Sequence, residues 1–402
     1  MSPRAHGRPA PRVGPLAGRP TGAPRLDVDA LLADRDVGII VCCGAGGVGK
    51  TTTSAALALR AAEQGRRAVV LTIDPARRLA QSMGLTELDN NPRPVSGVDT
   101  SAGGGLDAMM LDMKRTFDEV VESHATPEKA RQILSNPFYQ ALSSSFAGTQ
   151  EYMAMEKLGQ LHADARRTGR WDLILVDTPP SRSALDFLDA PERLASFLDG
   201  RFIRLLLAPA KGPARLLSAG LGVVTNALNR VLGTQMLRDA QTFIAAFDTL
   251  FGGFRARADK TYQLLQADET AFLVVAAPAS DALREAAYFV ERLTEEQMPL
   301  AGLVVNRVTR CHAPDLAETE AAAGAQRLEL SGEHPVTAHL LRLHAEEMAT
   351  VAREDHLRLR FTAAHPSVPT AEVPALATDV HDVEGLRAVG TAVAGRPLTE
   401  SA

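Results

Sequence analysis

The stretch GAGGVGKT, Gly44 to Thr51, limits the possible folds more than any other part of the chain. It follows the apolar run GIIVCC (38–43) and opens the Ala- and Leu-rich run KTTTSAALALRAAEQG (50–65). A strand, a glycine loop and a helix therefore succeed one another, the context in which the spacing G-x-x-x-x-G-K-T marks a phosphate-binding loop. Gly44, Gly46, Gly47 and Gly49 let backbone N–H groups, Val48 among them, turn inward around phosphate oxygens. The following helix adds its partial positive charge. Lys50 supplies a mobile cation for the β- and γ-phosphates. The Thr51 hydroxyl is a hard oxygen ligand for Mg²⁺, and Thr52 offers an α-phosphate contact.

Around this loop the chain reads as alternating strands and helices. RAVVLTID (67–74), WDLILVDTPP (171–180), AFLVVAAP (271–278) and AGLVVNRV (301–308) are short apolar runs rich in Val, Ile and Leu, as is the 38–43 run. Runs of this kind form parallel strands covered on both faces. LDAMMLDM (106–113) is a weaker sixth, and Gly65 is placed to end the first helix. The expected fold class is α/β, a doubly wound, mostly parallel sheet of the P-loop NTPase type. Residues 114–170 and 186–265 break the alternation and are expected to form a helical subdomain inserted into the core. The core itself is expected at 31–113, 171–185 and 266–392. Residues 90–105 read as a polar Pro/Gly-rich loop. Residues 1–30 are rich in Pro, Gly, Ala and Arg and read as a disordered tail with no secretory leader. Residues 393–402 read as a flexible end.

Composition narrows the function classes. A net charge of -5 and 4% aromatic residues leave neither a basic face nor a stacking platform for nucleic acid. The three cysteines, Cys42, Cys43 and Cys311, form no C-x-x-C pair, so no structural zinc is expected and the compartment reads as cytoplasmic. No apolar run approaches the ~18 residues of a membrane span.

Asp74 and Asp177 each close an apolar run. In an open parallel sheet ligands sit at the carboxyl ends of the strands, so both carboxylates should converge on the phosphates. One can join the Mg²⁺ shell and the other can orient an attacking water.

GAGGVGKTTT, TIDPARRLAQSMG, SSFAGTQEYMAMEKL and DTPPSRSALDFL occur in the order found in the ArsA-like ATPases, which this chain resembles. This is a deviant Walker A family of the signal-recognition, MinD and BioD class, and the resemblance spans about residues 38–386. The family includes arsenite-pump ATPases and the guided-entry ATPases that deliver tail-anchored membrane proteins. The resemblance implies ATP and Mg²⁺ as the cofactors. It implies Asp74 as the residue that polarises the attacking water, Asp177 as the Mg²⁺-linked aspartate and Asn306 as the adenine reader. Residues 373–386 resemble the loop that closes over the base.

Three departures shape the expected partners. The family loop reads GKGGVGKT, and its first lysine reaches across a dimer to the partner's phosphates, whereas Ala45 stands here. The second switch reads DTPPSRS in place of DTAPTGH, and the zinc-binding C-x-x-C is missing. A homologous, lysine-bearing subunit is therefore expected as partner, a heterodimer ahead of a homodimer, and arsenite is not the expected ligand. In the guided-entry branch the insert forms a groove for a hydrophobic helix. Phe197, Leu198, Phe202, Leu205, Leu206, Leu207, Phe243, Phe247, Phe251 and Phe254 would line it here, or would form the subdomain's own core or a dimer interface. A hydrophobic client or membrane protein, with a place at the membrane periphery, follows from the first reading. A low-turnover carrier or regulatory subunit is the alternative to a transport or targeting ATPase.

Overall fold

The computed structural model describes residues 23–74, 78–85, 88–137, 139–140, 149–179 and 256–396. Residues 186–255, and with them every phenylalanine and leucine named for the insert, lie outside the described residues. So do the tail to residue 22 and residues 397–402.

Among the described residues, eight strands form one sheet in the order β3-β4-β2-β5-β1-β6-β7-β8. They are β1 (Ile39–Cys43), β2 (Arg67–Thr72), β3 (Arg93–Pro94), β4 (Gly105–Met110), β5 (Leu173–Asp177), β6 (Thr270–Ala276), β7 (Leu300–Val308) and β8 (Thr370–Pro374). Every neighbouring pair is parallel except β3 with β4. All six apolar runs singled out in the sequence become strands. β3 and β8 carry no such signal. β3 is a two-residue antiparallel edge inside the Pro/Gly loop, and β8 holds Glu372 and Pro374, which weaken its apolar pattern.

The two-residue period of a strand sorts its side chains to two cores. Ile39, Val41 and Cys43 of β1 join Val69, Leu71, Ile174 and Val176 on one face. There they meet α4 (Met113–His124), α5 (Pro127–Leu134), α6 (Thr149–Thr168) and α7 (Ser280–Glu295). Ile40 and Cys42 join Ala68, Val70, Leu173 and Leu175 on the other face, under α1 (Val28–Ala33), α2 (Lys50–Glu63), α3 (Arg78–Ser82) and α10 (Val383–Val393). Two further helices, α8 (Glu318–Ser331) and the 30-residue α9 (Pro335–Ala364), pack chiefly on each other as a hairpin between β7 and β8.

Packed structure begins before residue 31, the limit that composition suggests. Leu26 N–H donates to the Thr370 carbonyl at 3.0 Å, Thr370 N–H donates to the Pro24 carbonyl at 2.8 Å, and Asp27 caps α1. This segment covers the exposed edge of β8, where unpaired backbone groups would otherwise face solvent.

Candidate functional site

β1 lies in the middle of the sheet, between β5 and β6, and its carboxyl end feeds the glycine loop. Gly44 has φ +148°, and a Cβ there would lie 2.1 Å from the Val275 carbonyl oxygen of β6. Gly49 has φ +95°, and a Cβ there would lie 2.2 Å from Asn306 Nδ2 of β7. Both positions combine a left-handed backbone with contact that only hydrogen can fill. The loop is thus held against β6 and β7 before any phosphate arrives. Gly47, at φ +76°, has open space beside it and faces the cleft.

Strand register brings the second carboxylate to the loop. Asp177 pairs in register with Cys42 of β1 and Thr72 of β2. The Thr51 and Thr72 hydroxyls both donate to Asp177 Oδ2, at 2.8 and 2.9 Å. Asp177 is completely buried, and among the described residues its Oδ1 has no hydrogen-bond partner. Burial pushes its carboxyl up to about 6, although the two hydroxyls and Lys50 favour the ionised form. A buried, unpaired carboxylate oxygen costs free energy and calls for a cation. With Thr51 Oγ1 it makes a hard-oxygen donor set, and these residues fit Mg²⁺ with water completing the shell.

Lys50 is buried at the mouth of α2, and its Nζ donates to the Ala45 carbonyl at 2.7 Å. Burial lowers its proton affinity, opposed chiefly by Asp177 and then by Cys43 and Asp74. The cation is therefore parked on the loop's own carbonyl, close to where phosphate oxygens would replace that acceptor. Asp74 lies beyond the end of β2, its N–H donates to Thr72 Oγ1 at 3.2 Å, and it lines the same cleft. Its neighbours 75–77 are outside the described residues. Thr178 anchors the chain leaving β5 by donating to the Cys42 carbonyl at 2.9 Å through Oγ1. Cys42 and Cys43 lie under these groups, fully buried, and burial pushes the Cys42 thiol up to about 12. Neither is a thiolate at neutral pH, so neither offers a soft ligand.

The cleft has a volume of about 600 Å³. Its floor carries Gly47, Gly49, Lys50, Thr51, Thr52, Asp74 and Asn306, which places these sequence-derived residues at one site. Gly44, Gly46 and Val48 sit in the loop behind this floor, and Asp177 lies directly beneath Thr51. Asn306 Nδ2 donates to the Val48 carbonyl at 2.9 Å, and Asn306 Oδ1 accepts from the Arg307 N–H at 3.0 Å. Each end of the amide makes one bond within the protein, which leaves one N–H of Nδ2 and one lone pair of Oδ1 for a base edge. The far wall is Val373 to His381, within the 373–386 segment singled out in the sequence.

Arg307, Gln81 and Ser82 also line the cleft, and sequence reasoning missed them. Arg307 holds a left-handed φ of +63° and donates from Nη1 to the Gly47 carbonyl at 3.2 Å. A non-glycine residue in that region is uncommon and clusters at functional sites. Its one sequence signal is its place beside Asn306. No helix among the described residues is long and apolar enough to cross a membrane.

A model of the anion-transporting ATPase family matches residues 37–328. The chain is 32% identical over 158 residues to an arsenical pump-driving ATPase of Acidiphilium multivorum, covering 39% of this chain and 26% of that protein. It is 25% identical over 282 residues to the ATPase get3 of Schizosaccharomyces pombe, covering 70% of this chain and 76% of that one. It is 33% identical over 188 residues to an uncharacterized protein of Streptomyces coelicolor, covering 46% of this chain and 43% of that one. The chain thus spans about a quarter of the pump ATPase and about three quarters of get3.

Proposed function

Because this chain belongs to the anion-transporting ATPase family, whose class of reaction is ATP hydrolysis, we propose that it binds Mg-ATP in the 600 Å³ cleft and hydrolyses it to drive a transport, targeting or export process. The observation that carries this reading is the meeting of Lys50, Thr51 and Asp177 at the strand ends, with Asp177 Oδ1 buried and, among the described residues, unpartnered. Thr51 and Asp177 would hold Mg²⁺, which when bound neutralises charge on the terminal phosphates. Lys50 would leave the Ala45 carbonyl for β- and γ-phosphate oxygens. Asp74 would accept a hydrogen bond from the attacking water and aim it at the γ-phosphorus. Water adds to that phosphorus, the bond to the ADP oxygen breaks, and the water's protons leave with phosphate and solvent.

The unit that does this work is a dimer with a lysine-bearing homologue. Ala45 is buried and carries no charge to a neighbour's phosphates. A cation supplied in trans to a phosphoryl-transfer site is worth a large factor in rate. The partner's lysine would serve this chain's ATP, while this chain returns nothing. Steady-state hydrolysis should be slow for this chain alone and rise by ~10²-fold or more on adding the homologue, and Asp74→Asn should remove that rise. Full turnover by the isolated chain, insensitive to Asp74→Asn, would refute both the pairing and the role of Asp74.

Asn306 is assigned to adenine, since an amide offers one donor and one acceptor to the base edge. Asn306→Ala should weaken ATP binding about tenfold and erode the preference for ATP over GTP, as expected when one polar contact is lost. An equal loss for both nucleotides would make Asn306 only a brace for the Val48 carbonyl.

A further inference from the structure

Beyond the nucleotide cleft, the chain leaving β7 meets one face of α9 with a set of side chains that the ATPase chemistry does not use. Cys311, His344 and Glu347 place Sγ, a ring nitrogen and a carboxylate oxygen all within 4.8 Å of one another. His344 and Glu347 are three residues apart on α9 and so share a face. Cys311 Sγ lies 3.9 Å from His344 Nδ1. His312, next to Cys311, brings its Nδ1 to 3.4 Å from Glu347 Oε1.

A second observation concerns the histidine itself. His344 Nε2 lies 2.8 Å from the Leu316 carbonyl, an acceptor only, so the proton sits on Nε2. Nδ1 is then left with a lone pair facing the thiol. A backbone carbonyl that accepts from the other ring N–H is a usual second partner of a metal-bound imidazole. Cys311, His344 and Glu347 are each only partly exposed. Cys311 also lines a second cavity of about 600 Å³, bounded by Thr309, Arg310, Met348 and Val351, which gives an ion a way in.

We propose that Cys311, His344 and Glu347 bind a divalent transition ion of the zinc class, with His312 or water as fourth ligand. Thiolate, imidazole and carboxylate together select a borderline-soft ion over Mg²⁺. Tetrahedral bond lengths put neighbouring sulfur and nitrogen ligands about 3.5 Å apart, so the observed 3.9 Å needs to close by only a few tenths of an ångström. The ion would clip the β7–α8 connection to α9, where Thr309 already donates to Glu354 through N–H and Oγ1, both at 2.8 Å. Asn306 and Arg307 lie just upstream on the same strand. The site joins residues 311, 344 and 347 and so escapes a search for C-x-x-C spacing.

Cobalt(II) titration of the full chain after chelator treatment tests this. One equivalent should give a near-ultraviolet thiolate-to-cobalt band that zinc then abolishes. Cys311→Ser should lose the band, and His344→Ala should bind at least about tenfold more weakly. Glu347→Gln should weaken binding in the same way, and it serves as the second variant should His344→Ala fail to fold. Cobalt at the oxygen ligands of the nucleotide site yields no thiolate band, and Cys42 and Cys43 are buried as thiols. Absence of the band, its survival in Cys311→Ser, or unchanged affinity in both other variants would overturn the proposal.

Discussion

Asp177→Asn should reduce ATP hydrolysis by about 10³-fold and at the same time stabilise the nucleotide-free protein. The two effects have one origin. Asp177 is fully buried, and its carboxyl is pushed from 3.8 up to about 6 by that burial. At neutral pH it is nonetheless ionised, and among the described residues only Thr51 and Thr72 donate to it, both at Oδ2. Because the folded value lies above the unfolded one, the folded chain keeps a proton that the unfolded chain releases. Stability therefore falls as pH rises between about 4 and 6 and is level above that. The loss is about 3 kcal/mol for a displacement of this size. Asparagine keeps the shape, offers its oxygen to the same hydroxyls and carries no charge. Thermal unfolding without nucleotide should show variant and wild type close together near pH 4 and separated in the variant's favour by pH 7. Mg-ATP should then raise the wild-type midpoint and hardly move the variant's. Wild-type turnover in the variant, or parallel midpoints at every pH, would refute the assignment. A polar group that weakens the empty protein and strengthens the loaded one is what a ligand-holding carboxylate should be.

The sheet was legible in the sequence because buried parallel strands are continuous apolar runs, and β1, β2, β4, β5, β6 and β7 all are. The apolar runs extend up to three residues past the strands at their carboxyl ends. There the regular strands end, and Asp74 and Thr178 line the cleft. β8 was hidden because an edge strand needs only one apolar face, and TAEVP buries only alternate positions before its proline. The phosphate loop was legible as a candidate from its spacing, both aspartates from their places at strand ends, and Asn306 through the family resemblance. The reasons the loop keeps its shape were not. They lie in contacts over long sequence distances: Gly44 against Val275, and Gly49 and Val48 against Asn306. Arg307 escaped notice for the same reason, since a left-handed backbone at a non-glycine residue is set by its surroundings. Cys311 looks solitary in the sequence, and only the long α9 brings His344 and Glu347 beside it.

Lys50→Met should lower hydrolysis by a comparable factor of roughly 10³, and should weaken ATP more than ADP, because the lost cation serves the β- and γ-phosphates. In the empty protein Lys50 donates to the Ala45 carbonyl and stands near Asp177 and Asp74, which favour its charged form. Methionine fills the same volume but leaves that carbonyl without its donor and the buried Asp177 without this cation. An uncompensated buried charge is the costly outcome of removing one partner, so the single variant should unfold at lower temperature than wild type. The same substitution made in an Asp177→Asn background meets a neutral neighbour and should destabilise much less. It should also cost little further activity, since the phosphate site is already disabled. The four proteins form a double-mutant cycle whose coupling measures the electrostatic tie between Lys50 and Asp177. Strict additivity in both stability and rate would mean that the two charges act independently. Lys50 would then not be among the groups that hold the Asp177 carboxyl down against burial.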